Sequence, residues 1–165
     1  QRALLISSHF DSAIGSPAAM DANAEIGIMV ELLRLYAHDP PPTDIVFNFN
    51  GGEEMIMPAA HGFITTHRWA SDLCAVVNLE SAGAGGRETV FQAGPKNRWI
   101  LETYAARVAR PHGNSVIQAF FQLGVIPGDT DYRIYRDFGD LPGVDFVITS
   151  NDWVYHTTQD DLRHA

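Results

Sequence analysis

Two histidines and five acidic residues of this sequence are placed so that they can act together: His9, Asp11, Asp21, Glu53, Glu54, Glu80 and His156. His9 and Asp11 follow the apolar run at residues 3–8. Gly51-Gly52-Glu53-Glu54 follows the run at 45–50, and Glu80 follows the run at 74–79. His156 comes a short loop after the run at 144–149, and Asp21 lies between the first run and a helical pattern. In open α/β sheets ligands bind at the carboxyl ends of the strands, so residues that end four strands are expected to converge there. Imidazole with carboxylate is a ligand set that suits Zn²⁺. A carboxylate has two oxygens and can bridge two metals, which together polarise a carbonyl and activate water. Such a centre also needs a carboxylate that is not a ligand, to take the proton from the attacking water. Glu53-Glu54 offers both types side by side, and the glycines ahead of them permit a tight turn.

Taken singly, each residue has an ordinary reading. A lone His is most often a surface or core residue. Glu53-Glu54 suits the acidic first turn of a helix, and Asp21 suits a helix cap. Glu80 is less ordinary, because an unpaired carboxylate at the end of a buried strand is costly. His38, His61, His67, His112 and His164 have no strand-end placement and are read as structural or solvated. The coincidence of the others favours the joint reading.

The elements that must position these groups are legible as alternating patterns. Strand-length runs fall at 3–8, 45–50, 74–79, 89–92, 116–121 and 144–149, several rich in Val, Ile and Phe. Ile26, Met29, Val30, Leu33 and Ala37 recur with helical spacing, predicting a helix over 24–37 with that face inward. Weaker helical patterns cover 58–67 and 98–109, with Pro58 and Pro111 marking a start and a stop. The alternation predicts an α/β fold, a three-layer sandwich on a mostly parallel, mixed sheet.

Composition narrows the class. The chain has 165 residues, enough for one domain, and 45% are hydrophobic, enough for a core. Eleven basic against twenty acidic residues give a net charge of −9, which argues against a nucleic-acid or anionic-membrane surface. The single cysteine, Cys74, excludes an internal disulfide and a multi-Cys zinc site. No apolar run approaches the ~20 residues of a membrane span. The absence of an initiator Met, with a strand-like run at 3–6, gives the expectation of a piece of a longer chain.

Together these motifs resemble the co-catalytic zinc aminopeptidase family, Peptidase family M28. The likeness is carried by His9-Phe10-Asp11-Ser12, by Gly15-Ser16-Pro17 with Asp21, by Asn50-Gly51-Gly52-Glu53-Glu54, by Asn78-Leu79-Glu80 and by Tyr155-His156-Thr157. Three further stretches resemble the endoplasmic reticulum metallopeptidase (Fxna-related) subfamily and its vacuolar membrane relatives. They are His61-Gly62-Phe63-Ile64-Thr65, Val90-Phe91-Gln92-Ala93-Gly94-Pro95 and Asp129-Thr130-Asp131-Tyr132-Arg133-Ile134-Tyr135.

The resemblance implies roles. His9 and Glu80 would hold one zinc, Glu54 and His156 the other, and Asp21 would bridge them. Glu53 would be the general base, and Asp11 a carboxylate orienting a ligand imidazole. The peptide after the bridging Asp is often cis in relatives; here Ala22-Asn23 replaces the usual Asp or Asn then Gly, removing one side-chain hydrogen bond. Residues 1–165 would form a single catalytic peptidase domain whose N- and C-terminal parts lie outside this sequence. The expected activity is hydrolysis of N-terminal peptide bonds, with a peptide bearing a free N-terminus as substrate and no nucleic-acid partner. The parent chain would be membrane-anchored, in the endoplasmic reticulum or another endomembrane (vacuolar) lumen. The rivals are an inactive peptidase-like binding or structural ectodomain, and a glutaminyl-cyclase-like acyltransferase, whose family resembles a one-zinc site.

Overall fold

Seven residues, Ala3–His9, form β1, the strand from which the sheet grows in both directions. The structure is a computed structural model and describes residues 2–94, 96–126 and 128–165. From β1 the chain passes through helix α1, Asn23–His38, to β2, Ile45–Asn50, which pairs in parallel on one side of β1. It then passes through α2, Pro58–Thr66, to β3, Leu73–Ser81, which pairs in parallel on the other side of β1. β4 (Thr89–Ala93), α3 (Arg98–Arg107), α4 (Ser115–Gln122), α5 (Asp131–Gly139) and β5 (Gly143–Ile148) complete the fold. The strand order is β2-β1-β3-β5-β4, with β4 alone antiparallel. The mixed sheet and the α/β class are as the alternation predicts.

The reversal at β1 decides where a ligand can sit. Right-handed crossovers leaving β1 in one direction and returning past it in the other put α1 and α2 on opposite faces. A crevice opens where the carboxyl ends of β1 and β3 part. β1 ends on His9, and β3 runs far enough to include Glu80, which the sequence reading placed just after the strand.

On one face α2 and α5 pack against each other and α5 packs on β3 and β5. The core there joins Leu5 and Val76 of the sheet to Ala60 and Ile64 of α2 and to Tyr132, Ile134 and Tyr135 of α5. Tyr135 is fully buried, with its hydroxyl 2.8 Å from the Ser7 hydroxyl and accepting from Asn48 at 2.9 Å. Tyr132, left without chemistry in the sequence reading, is buried and donates to the Gly143 carbonyl; Arg133 lies outside, 3.6 Å from Asp129.

Two expectations are corrected. The run 116–121 is helix α4, not a strand. Its apolar residues Val116, Ile117, Phe120 and Phe121 have helical spacing, and the Asn114 side chain caps it by accepting from the amides of Val116 and Ile117. A run of six residues, five of them apolar, is too short for periodicity alone to settle, and the cap decides it. Second, the inward face of α1 is shifted by about one residue, with Met29 and in part Ile26 inward as expected. Val30, Leu33 and Ala37 are exposed, while Glu25 and Met29 are buried. Asn23, Gly27, Glu31, Arg34 and His38 form a polar stripe along this helix, and the buried side lies opposite it; Val30, Leu33 and Ala37 stand nearer the stripe than Met29 does and face outward. Helix α5 lies where the sequence analysis predicts no element: at nine residues it is too short for its periodicity to stand out, and Tyr and Phe are weaker helix formers than Ala or Leu. Pro95, part of one family-like stretch, lies outside the described residues. No helix among the described residues is long and apolar enough to cross a membrane.

Leu5 is fully buried where β1 meets the α2–α5 layer. Leu5→Ala is expected to cost about 2–5 kcal/mol of stability, the range for a large-to-small change in a packed core, read from the denaturant midpoint.

Candidate metal centre

Asp21 stands at the middle of the site, on the loop between β1 and α1. Its Oδ1 is 3.2 Å from His9 Nε2 and its Oδ2 is 3.2 Å from His156 Nε2. His9 Nε2 is also 3.3 Å from Glu80 Oε2, and His156 Nε2 is 3.0 Å from Glu54 Oε1. The result is two clusters, His9–Asp21–Glu80 and Asp21–Glu54–His156, each offering three ligand atoms within 4.8 Å of one another. The Asp21–Ala22 peptide is cis.

Four elements bring these atoms together. His9 closes β1 and Glu80 lies near the end of β3. Glu53 and Glu54 begin a 3₁₀ turn, Glu53–Met55, directly after β2. Gly52 enters that turn at φ 76°, a left-handed conformation that glycine adopts at no steric cost. His156 follows the loop after β5 and itself has φ 59°. Tyr155 stacks on its ring at 3.7 Å between centroids.

The spacing fits a metal better than simple ion pairs. Atoms held at ~2.0–2.1 Å by one tetrahedral ion lie ~3.3 Å apart. Charge-assisted N–H···O bonds are shorter, ~2.7–2.9 Å. Three of the four imidazole–carboxylate separations, at 3.2–3.3 Å, lie nearer the first value; the fourth, His156 to Glu54 at 3.0 Å, lies nearer the second. The donor set, one imidazole with carboxylate oxygens in each cluster, is the set zinc takes.

Asp11 works differently from a simple orienting carboxylate. The ring Nδ1 of His9 lies 3.0 Å from the Asp11 backbone carbonyl and 3.5 Å from its carboxylate. That carboxylate accepts from the amides of Glu53 at 3.2 Å and Glu54 at 3.3 Å. One residue thus ties the His9 ring to the turn carrying both glutamates.

Glu53 makes no pairing with either imidazole. With Asp21, Glu80 and His156 it lines a cavity of about 430 Å³, whose apolar wall includes Phe91, Phe121 and Val147. A larger cavity of about 560 Å³, bordered by Gln92, Gln118 and Arg136, touches neither cluster.

Burial and crowded like charges set the proton affinities. Burial disfavours a charged His9 ring, yet hydrogen bonds to Asp21 and Glu80 outweigh it and hold its pKa up at about 12. Burial opposes ionisation of Asp21, but bonds from His156 and His9 keep its carboxyl below the ordinary value. Burial, then the charge of Glu80, pushes Glu53 up to about 9. Burial raises Glu54 and Glu80 as well. Without a cation the site is therefore rich in bound protons.

Two further acids near the site escaped the sequence reading. Glu25 of α1 is buried, its carboxylate oxygens have no hydrogen-bond partner among the described residues, and burial lifts it to about 8. Asp131, at the start of α5, is fully buried, accepts from the Asn50 amide and is raised by burial to about 7. The signal for Asp131 was its place in a family-like stretch; Glu25 gave none, being acidic in a helix's first turn.

Comparison with known proteins places the chain in a class. The model of Peptidase family M28 matches residues 1–165. The chain belongs to that family. It is 48% identical over 160 residues to Endoplasmic reticulum metallopeptidase 1 of Rattus norvegicus, covering 96% of this chain and 18% of the relative. It is 34% identical over 165 residues to a Vacuolar membrane protease of Schizosaccharomyces japonicus, covering 99% of this chain and 19% of that protein. The chain thus spans about a fifth of the length of these curated relatives. Among solved structures, a zinc aminopeptidase from Bacillus subtilis superposes with a TM-score of 0.73 at 17% identity, covering 99% of this chain and 41% of that one. Porphyromonas gingivalis glutaminyl cyclase superposes with a TM-score of 0.68 at 16% identity, covering 99% and 65%. At these identities the structures show a shared fold.

The proton affinities imply how the metal-free protein responds to pH. The His9 contribution to stability is full below its unfolded pKa of 6.5 and is lost as pH rises toward about 12. Glu25, Glu53 and Asp131 have the same sign, because the folded state keeps protons that the unfolded chain has already released. Chelator-treated protein is thus expected to have a denaturant midpoint that falls from about pH 5 to about pH 9. A midpoint that stays level or rises over that range would count against these assignments.

Proposed function

We propose that this chain carries the catalytic centre of a di-zinc aminopeptidase, hydrolysing the N-terminal peptide bond of a peptide with a free N-terminus. His9, Asp21 and Glu80 would hold one zinc, and Asp21, Glu54 and His156 the other. The observation that carries the reading is Asp21, whose two carboxylate oxygens face two different imidazoles at 3.2 Å. Residues 1–165 would belong to a single catalytic peptidase domain. The names of the relatives support a membrane-anchored parent chain in the endoplasmic reticulum or the vacuolar endomembrane.

Zinc, when bound, supplies Lewis acidity, polarising the scissile carbonyl and lowering the pKa of water. The chain's residues do the rest. Glu53 lines the cavity beside both clusters and makes no pairing with either imidazole, which leaves it free to take the proton of the attacking water. It then returns that proton to the leaving amine. Its high proton affinity in the metal-free site comes from burial and from Glu80, and two cations would lower it. Asp11 holds the Glu53 and Glu54 amides, keeping base and ligand in one register with His9.

Glutaminyl cyclases share the fold, so a cyclase is the competing reading. The complete second cluster favours the peptidase, as does the matched family. An inactive binding module is disfavoured because no proposed ligand, nor the base, is missing.

Glu53→Gln tests the chemistry. It keeps size but cannot accept a proton, so the rate on aminoacyl substrates is expected to fall roughly 10²–10⁴-fold with metal content unchanged. Full activity with both zincs bound would remove Glu53 from the mechanism; turnover of N-terminal glutaminyl substrates to a cyclic product would favour the cyclase.

The bridge is tested by metal content. Asp21→Ala is expected to abolish tight binding of both ions, and Glu54→Ala to weaken mainly one. Two tightly held ions in Asp21→Ala protein, counted by elemental analysis, would contradict the bridging role.

A further inference from the structure

Behind Glu80 the sheet carries a buried polar row that neither cluster uses. Asn78 lies two residues before Glu80 on β3 and so points to the same face. Strand register sets Asn78 beside Asp145 of β5, and Asp145 beside Gln92 of β4. Asn78 and Asp145 are fully buried and Gln92 nearly so. The Asn78 amide nitrogen donates to Glu80 Oε1 at 3.3 Å and to Asp145 Oδ1 at 3.0 Å. On its other side, Asp145 Oδ2 accepts from Gln92 Nε2 at 3.2 Å and from the Thr130 hydroxyl at 2.7 Å.

A carboxamide has two N–H protons, and Asn78 commits both, one to each carboxylate. Its Oδ1 has no partner among the described residues, so nothing else there in the sheet fixes the amide plane. Asp145 does so from one side. The amide then occupies Glu80 Oε1, leaving Oε2 as the oxygen that faces His9 Nε2. For packing alone an apolar side chain would serve better at position 145, in a strand that otherwise reads Val144, Phe146, Val147, Ile148.

We propose that Asp145 and Asn78 are positioning residues for the proposed ligand Glu80: Asp145, held by Gln92 and Thr130, orients the Asn78 amide, which presents a single Glu80 oxygen to the ion shared with His9 and Asp21. The assignment rests on the two-metal reading. The row reaches Glu80 and has no hydrogen bond to Glu54 or His156, so its loss acts on one metal site only.

The test is the zinc affinity of each site in the full-length protein, measured by competition with a chromogenic chelator, with unfolding midpoints in parallel. Asp145→Leu removes the acceptor facing Asn78. It is expected to weaken one site by about 10–100-fold, the usual effect of losing an outer hydrogen bond behind a ligand, and to leave the other unchanged. Asp145→Asn keeps an acceptor oxygen and is expected to recover most of that loss. Thr130→Val removes one donor from Asp145 and carries the test should Asp145→Leu fail to fold; it weakens the same site more mildly. Equal weakening of both sites overturns the assignment, as do unchanged affinities in the folded variants. An Asp145→Asn protein as weak as Asp145→Leu also overturns it, since orientation of Asn78 would then not be the cause. Wild-type protein that takes up no zinc would overturn the two-metal reading itself, a failure visible before any variant is made.

Discussion

One carboxylate, Asp21, faces two imidazoles with its two oxygens, and the architecture around it follows from that constraint. Asp21 is buried, as are His9 and Glu80, and burying several acids beside so few bases is unfavourable unless something supplies positive charge. In the metal-free state protons supply it, which is why His9 holds its proton to about 12 and Glu53 to about 9. In the proposed holo state two cations would take their place. The same acids that penalise the metal-free fold are then the source of metal affinity, so metal binding and folding stability are coupled.

The sheet topology makes this concentration of charge possible. The chain leaves β1 in one direction and returns past it in the other, opening the crevice between the ends of β1 and β3 where His9 and Glu80 meet. Glu53 and Glu54 arrive from the end of β2, and His156 arrives from beyond β5. Asp11 connects two of these arrivals, through its carbonyl to His9 and its carboxylate to the Glu53–Glu54 turn. The polar row of Asn78, Asp145 and Gln92 supports the site from within the sheet, where backbone register rather than loop geometry sets the positions. A ligand carried on a strand is held more rigidly than one on a loop, and His156, on a loop, is the more exposed of the two histidines.

The sequence by itself determined the strand–helix alternation, the mixed sheet and the identity of the groups that meet. Each of these is written locally: apolar runs of strand length, polar residues placed at their ends, a glycine pair where the backbone must turn. On α1 the polar stripe of Asn23, Gly27, Glu31, Arg34 and His38 marks the outward side, but the apolar remainder is wide, and packing decided that Met29 turns fully inward while Val30 and Leu33 do not. The sequence suggested a strand at 116–121, where Val116, Ile117, Phe120 and Phe121 instead line one face of a helix that Asn114 caps. Only the tertiary structure decided at what distances Asp21 meets His9 and His156, that Glu25 and Asp131 are buried near them, and that Asp145 stands behind Asn78. Those relations join residues far apart in the chain. They exist only once strand order and register have brought separate segments within hydrogen-bonding distance, and no local pattern in the sequence encodes that distance.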